Sequence, residues 1–223
     1  MTILLLARHG QSDWNATRRW QGHADRPLTE QGREQARALA ARLRHIELDA
    51  VYSSDLRRAA DTAAEVADTH GLETIRRPAL REVDVGSWSG LTRDEAKQRF
   101  PQGYARWLDG FPGWDDGESY EDMGARVLGA ILEIAHAHEG GRALVVSHGG
   151  PIRAIHATAL GLDIRTYRRV RPVEPNARQS AVCYTDGALT ELCPAGEIDA
   201  LIARDQAERR AAAGQAQAPT PAG

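Results

Sequence analysis

Five short runs rich in apolar and β-branched residues, Ile3 to Ala7, Asp49 to Ser53, Thr74 to Arg77, Ala143 to Ser147 and Ser180 to Thr185, alternate with longer segments whose apolar residues recur at helical spacing. That alternation leaves few solutions, because two parallel strands need a crossover of a dozen or more residues and a helix is the usual one. Thr29 can cap a helix beginning near Glu30, in which Ala36, Leu39, Ala40 and Leu43 share a face. Leu56, Ala59, Ala60, Ala63 and Ala67 share a face in the next segment. Met123, Val127, Leu128, Ile131, Ile134 and Ala135 do so in a third, where Ser119 and Asp122 are spaced as a capping box. Pro151 can begin a fourth helix. The expected fold is α/β, a three-layer α/β/α sandwich around a mostly parallel central sheet.

At 223 residues, one domain with a substantial core accounts for the chain. It is expected to span residues 1–202, with the Ala/Gln/Gly/Pro-rich stretch 203–223 a frayed or disordered tail. Residues 100–117 are rich in glycine, proline and aromatics. They read equally as a lid-like insertion over a site and as a cover for the core edge. The net charge is −3 with basic residues spread along the chain, so neither a nucleic-acid-binding arm nor a polybasic membrane patch is expected. A small anionic substrate fits better. Cys183 and Cys193 read as buried small hydrophobes in a reducing compartment. The apolar run after Met1 is too short for a signal-peptide core and no stretch reaches membrane-spanning length, so a cytoplasmic protein is expected. A homodimer is compatible with the sequence, which does not specify an oligomeric state.

The first apolar run ends in Arg8-His9-Gly10, and ligands of open α/β sheets gather at strand carboxyl ends. The fourth run ends in Ser147-His148-Gly149-Gly150. A neutral imidazole can attack phosphorus, and guanidinium groups hold phosphoryl oxygens in a planar fork. A single histidine after an apolar run is more often structural. Here the pattern Arg-His-Gly-x-Ser-x-x-Asn runs from Arg8 to Asn15. It is followed by Tyr52-Ser53-Ser54-Asp55-Leu56-Arg57-Arg58-Ala59, by Leu80-Arg81-Glu82 with Gly86-x-Trp88-x-Gly90-Leu91, and by the second histidine segment.

These motifs, in this order from about Thr2 to about Tyr184, resemble the histidine phosphatase superfamily, which includes the phosphoglycerate mutases. The resemblance implies a phosphoglycerate mutase-like fold and a phosphohistidine intermediate. It makes His9 the nucleophile, with its other ring nitrogen donating to a backbone carbonyl. Arg8, Arg58 and a cationic His148 would neutralise the phosphoryl group, and Glu82 would act as general acid and then base. Asn15, Gln21 and Gly22 would contact phosphate or substrate, and the Gly149 amide, at a helix start, would add a donor. Arg57 is expected to be solvated, since consecutive helical residues point about 100° apart. No cofactor is expected. A metal on His9 and His148 lacks a third ligand with convincing spacing. His23, His45, His70, His136, His138 and His156 match no motif and read as structural.

The same phosphohistidine can pass its phosphoryl group to water or to a second substrate. Mutases of this family usually follow the glutamate with a histidine-tyrosine-glycine signature and carry paired arginines for the acid's carboxylate. Here Val83-Asp84-Val85-Gly86-Ser87-Trp88 stands instead, and residues 100–116 hold only Arg106. The hydrolase reading is therefore preferred: a metal-independent phosphomonoesterase acting on a small phosphorylated metabolite, such as a phosphorylated sugar or glycerate. The motifs also resemble those of actinobacterial glucosyl-3-phosphoglycerate phosphatases. Phosphoglycerate mutase is the alternative, and a phospholigand-binding protein without catalysis a lesser one.

Overall fold

The structure, a computed structural model, describes residues 1–193; the expected tail and the expected domain end at residue 202 lie outside them. In chain order the elements are β1 (Thr2–Arg8), α1 (Asp13–Ala16), α2 (Glu30–Leu43), β2 (Ala50–Ser53), α3 (Arg57–His70), β3 (Thr74–Arg76), α4 (Arg93–Arg99), α5 (Pro101–Leu108), α6 (Tyr120–Ala137), β4 (Arg142–Ser147), α7 (Gly149–Ala159), α8 (Ile164–Val170), β5 (Gln179–Thr185) and β6 (Ala188–Cys193). Single 3-10 turns at Pro78–Leu80 and Gly86–Trp88 lie between β3 and α4.

Successive strand residues point to opposite faces, and each face has its own core. Leu4 and Leu6 of β1, with Ala143 and Val145 of β4, pack under α6 and α7 beside Met123, Val127, Ile131 and Ile152. Leu5 and Ala7, with Leu144 and Val146, pack against Leu39 and Leu43 of α2 and Ala59, Ala63 and Val66 of α3. Two helical layers thus enclose a six-stranded sheet in the order β3-β2-β4-β1-β5-β6. The first four strands are parallel, and β5 and β6 are antiparallel to their neighbours. This is the expected three-layer, mostly parallel sandwich.

Several elements differ from the sequence reading, which did not place the short helices α1, α4, α5 and α8. The edge strand β6 was not anticipated. It returns from β5 through Asp186 and Gly187, both at positive φ (52° and 84°), the Asp-Gly pair that a two-residue hairpin favours. The helix placed at Pro151 begins at Gly149, with His148 as its N-cap. The 100–117 segment holds α5, and its aromatics other than the exposed Phe111 pack on the core. Trp88 is fully buried, stacks on Tyr104 (6.3 Å) and meets Trp114 edge-on (5.8 Å), contacts worth about 0.5–1.5 kcal/mol each beyond the area they bury.

The order β2-β4-β1 decides where chemistry can occur. These adjacent parallel strands end together, with Arg8 paired to Ser147 and Ser53 to Val146. His9 follows β1, His148 follows β4, and Arg58 lies in the first turn of the helix after β2. Three residues far apart in the chain therefore meet at the carboxyl ends of adjacent central strands.

Candidate active site

His9 is 2% exposed, and its Nδ1 lies 2.7 Å from the Gly10 carbonyl. A carbonyl only accepts, so Nδ1 carries the proton and Nε2 keeps its lone pair. Burial, then the charges of Arg58 and Arg8, hold His9 well below the usual histidine range, so the ring is neutral at pH 7. The Gly10 amide donates to Thr62 Oγ1 (3.0 Å), whose hydroxyl donates to the Arg58 carbonyl (2.7 Å), tying the β1 end to α3.

Arg58 is 1% exposed. Its Nη2 donates to the Gly22 carbonyl (2.9 Å), Nη1 to the Ala24 carbonyl (2.7 Å) and Nε to His148 Nδ1 (3.2 Å). Burial lowers its pKa to about 10, partly offset by Glu82 and Asp25, so it stays cationic at pH 7. Gly22 has a φ of 51°, and a Cβ there would fall 2.8 Å from Val85 Cγ2, so a side chain would drive its carbonyl off Arg58. Arg57 is exposed, as expected. Arg8 donates to the Glu174 carbonyl, and burial lowers its pKa against the opposing pull of Glu82 and Glu174.

Glu82 is half-buried. Its Oε1 accepts from the amides of Val83 (3.0 Å) and of Gly150 at the start of α7 (3.0 Å). Arg81 pairs with Asp55 (2.8 and 2.6 Å), not with its neighbour. The α7 amide seen to donate is therefore Gly150's, to Glu82; Gly149, expected to supply a phosphate donor, lines the cavity beside Arg8 and Glu82. Asn15 Oδ1 accepts from the Ser12 amide (3.1 Å) and Gln21 Oε1 from the Ser12 hydroxyl (2.7 Å), so these oxygens brace the loop.

Eight of the nine expected residues, Arg8, His9, Asn15, Gln21, Gly22, Arg58, Glu82 and Gly149, line one cavity of about 230 Å³. His148 sits behind it at 0% exposure, its ring centroid 5.1 Å from that of His9. Among the described residues, no group of three or more His, Cys, Asp or Glu is arranged to hold a metal ion.

The family model for the histidine phosphatase superfamily (branch 1) matches residues 4–193. The chain belongs to the histidine phosphatase superfamily. It is 37% identical to "Phosphoserine phosphatase 1" of Hydrogenobacter thermophilus over 75% of this chain and 80% of that protein. It is 38% identical to "Probable phosphoglycerate mutase GpmB" of Photorhabdus laumondii over 77% of this chain and 80% of that one. Among solved structures, a mycobacterial glucosyl-3-phosphoglycerate phosphatase superposes with a TM-score of 0.77 at 31% identity, covering 84% of this chain and 95% of that one.

Several residues around the site of this histidine phosphatase escaped the sequence reading. Arg126 of α6 donates from Nη1 to the carbonyls of Ala79 and Arg81 (2.8 Å each) and from Nη2 to that of Glu82 (2.7 Å), while Glu118 holds its other edge (2.6 and 2.7 Å). One guanidinium thus clamps the segment that presents Glu82. His23, read as structural, lies 2.8 Å from the same Glu82 carbonyl through Nε2. Asn176 Nδ2 donates to the His9 carbonyl (2.9 Å). The sequence carried one hint for Arg126, a lone arginine in an otherwise apolar stretch of helix.

The expected charge on His148 needs correction. Arg58 Nε donates to its Nδ1, so that nitrogen is unprotonated and Nε2 carries the hydrogen. Nε2 is buried with no partner among the described residues. Burial, then Arg58, His9 and Arg8, hold its pKa well below 6.5. His148 is therefore a neutral donor, not a cation. Long-range ¹H–¹⁵N spectra of histidine-labelled protein are expected to show it protonated on Nε2 alone at pH 6.5 and above; a doubly protonated ring there would overturn this. The unfolded chain takes up protons on both histidines near pH 6.5 while the folded one does not, so their contribution to stability is present above pH 6.5 and is lost as pH falls below it.

Proposed function

We propose that this histidine phosphatase is a phosphomonoesterase that works through a phosphohistidine at His9, on a small phosphorylated metabolite such as a phosphorylated sugar or glycerate. The observation that carries the reading is the pairing of a buried neutral imidazole, its free nitrogen set by the Gly10 carbonyl, with two buried guanidiniums and one carboxylate around a small cavity. In the first step His9 Nε2 attacks phosphorus, the bond from phosphorus to the ester oxygen breaks, and Glu82 gives that oxygen a proton. In the second, Glu82 takes a proton from water, the water oxygen attacks phosphorus, and the nitrogen–phosphorus bond breaks. Arg8, Arg58 and the Nε2–H of His148 stabilise the equatorial oxygens as charge spreads over them. Gly149, Asn15, Gln21 and Gly22 shape the phosphoryl end. The chemistry as written needs no metal or cofactor.

Likeness to a phosphoserine phosphatase and a glucosyl-3-phosphoglycerate phosphatase supports the hydrolase. Likeness to a protein named as a phosphoglycerate mutase keeps transfer to a second hydroxyl as the alternative. A cytoplasmic setting is part of the proposal, supported by Cys183 and Cys193, which are buried like small apolar side chains. Among the described residues no helix is long and apolar enough to cross a membrane.

The deciding experiment follows phosphate release from glucosyl-3-phosphoglycerate, 3-phosphoglycerate and p-nitrophenyl phosphate in EDTA, with 2-phosphoglycerate formation monitored in parallel. Phosphate release that persists in EDTA is the expected result. Conversion of 3- to 2-phosphoglycerate with little release would replace the hydrolase by the mutase.

A further inference from the structure

Transfer of a phosphoryl group and protonation of its leaving oxygen use different side chains, so the rate depends on how far apart the fold sets them. In the proposed reaction these are Arg58, in α3, and Glu82, in the irregular segment between β3 and α4. Neither side chain holds the other. The Arg58 guanidinium donates to Gly22, Ala24 and His148, and the Glu82 carboxylate accepts from the amides of Val83 and Gly150.

The tripeptide Gly22-His23-Ala24 touches both. Its first and last carbonyls accept from Arg58, 2.9 Å from Nη2 and 2.7 Å from Nη1. Its central side chain reaches the other residue, with His23 Nε2 2.8 Å from the Glu82 carbonyl. A carbonyl only accepts, so this nitrogen carries a hydrogen and donates it. The second ring nitrogen lies 4.0 Å from Asp84 Oδ2. The backbones also approach closely, since a Cβ on Gly22 would fall 2.9 Å from the Val85 nitrogen and 3.4 Å from the Val83 oxygen.

The segment that receives His23 has little freedom of its own. Arg126 donates to the carbonyls of Ala79, Arg81 and Glu82, and the Ser147 hydroxyl to that of Leu80 (2.8 Å), so side chains hold four consecutive carbonyls outside any strand. The Glu82 carbonyl thus takes one donor from α6 and one from the loop that cradles Arg58. In a segment tied this closely, a change at His23 is passed on to Glu82 and not absorbed.

We infer that His23 is a positioning residue: its Nε2–H fixes Glu82 at the distance from the Arg58-bound phosphoryl group at which the leaving oxygen receives its proton. The inference rests on the phosphomonoesterase reading for the roles of Arg58 and Glu82. His23 is half-buried and is not part of the cavity wall, so it acts through Glu82 and touches no reacting atom. The Arg81–Asp55 ion pair (2.6 Å) also joins this segment to the loop before α3, so loss of His23 loosens the arrangement without releasing it.

The test compares an ester that needs the acid with one that does not, by the single-turnover rate of alcohol release. His23→Phe keeps a ring without the donor. It is expected to slow release of glycerate from 3-phosphoglycerate about 10- to 100-fold, the scale of a small misplacement of a catalytic group, with KM nearly unchanged. Release of p-nitrophenol, which leaves without a proton, should change by less than about threefold. His23→Ala, a second donor-free variant, should behave alike, and His23→Gln, whose amide can offer an N–H to the same carbonyl, should recover most of the 3-phosphoglycerate rate. Cooperative thermal unfolding identifies the folded variants. If His23 only stabilised the fold, both esters would slow together or neither would, and either result in folded protein overturns the inference, as does equal slowing by phenylalanine and glutamine. An unsubstituted chain that releases phosphate from neither ester sinks the phosphatase reading and the inference with it. One that releases phosphate from both, with a rate ratio that His23→Phe leaves unchanged, sinks the inference alone.

Discussion

Replacing His9 by alanine is expected to lower kcat by about 10⁴-fold or more, because removing a nucleophile removes the covalent path altogether and leaves only what positioning and charge provide. KM for a phosphomonoester should move far less, since in the proposed mechanism Arg8, Arg58 and His148 would still face the phosphoryl oxygens. The readout that separates this role from a structural one is the intermediate itself. Acid-labile, alkali-stable label should appear on the protein from ³²P-substrate in rapid-quench experiments and be absent from the variant. Retention of full turnover in folded His9→Ala protein would end the phosphohistidine proposal. The pH dependence has a definite sign. Burial and two neighbouring guanidiniums depress the His9 pKa, so the nucleophile is lost only as pH falls well below 6.5. A histidine of ordinary pKa would already be half protonated at 6.5.

The parts of this site legible in the sequence are those where a short segment carries its own geometry. An apolar run that stops at Arg8-His9-Gly10 places a histidine at a strand end whatever the rest of the chain does. Helical geometry lets only one of Arg57 and Arg58 face the site, the family resemblance picks Arg58, and the structure leaves Arg57 exposed and Arg58 buried. What stayed hidden depends on contacts across the chain. Nothing local to Arg126 says that the 79–82 segment will lie under it, and nothing local to His23 says that its ring will reach the Glu82 carbonyl. The charge of His148 belongs to the same class: its motif marks a ligand, but its protonation follows from Arg58, 90 residues away in sequence, donating to Nδ1. The strand β6 is a different failure. Asp186-Gly187 between two half-apolar runs is a local hairpin signal, and the alternation after it, on an edge strand with exposed and half-buried residues, was too weak to stand out.

Glu82→Gln should act on the leaving group and not on phosphorus. The glutamine keeps size and an acceptor for the Gly150 amide, so the clamp of Arg126 on the Glu82 carbonyl and the loop it presents should survive. The amide has no proton to give. An alkyl ester such as 3-phosphoglycerate expels a strongly basic alkoxide, and its hydrolysis is expected to slow by about 10²- to 10⁴-fold, the range for loss of a positioned general acid. p-Nitrophenolate leaves without a proton, so formation of the phosphoenzyme from p-nitrophenyl phosphate should be almost unaffected. Its steady-state rate should still fall, because in the proposed mechanism the same side chain takes the proton from the attacking water in the second step. The variant should therefore show a burst of p-nitrophenol equal to the enzyme concentration, followed by slow turnover, and an accumulated phosphohistidine. Uniform slowing of both esters with no burst would mean that Glu82 holds the 79–82 segment and Arg8 in place without moving a proton. The burst amplitude thus separates a proton carrier from a brace at a residue whose backbone carbonyl and carboxylate are both tied into the structure.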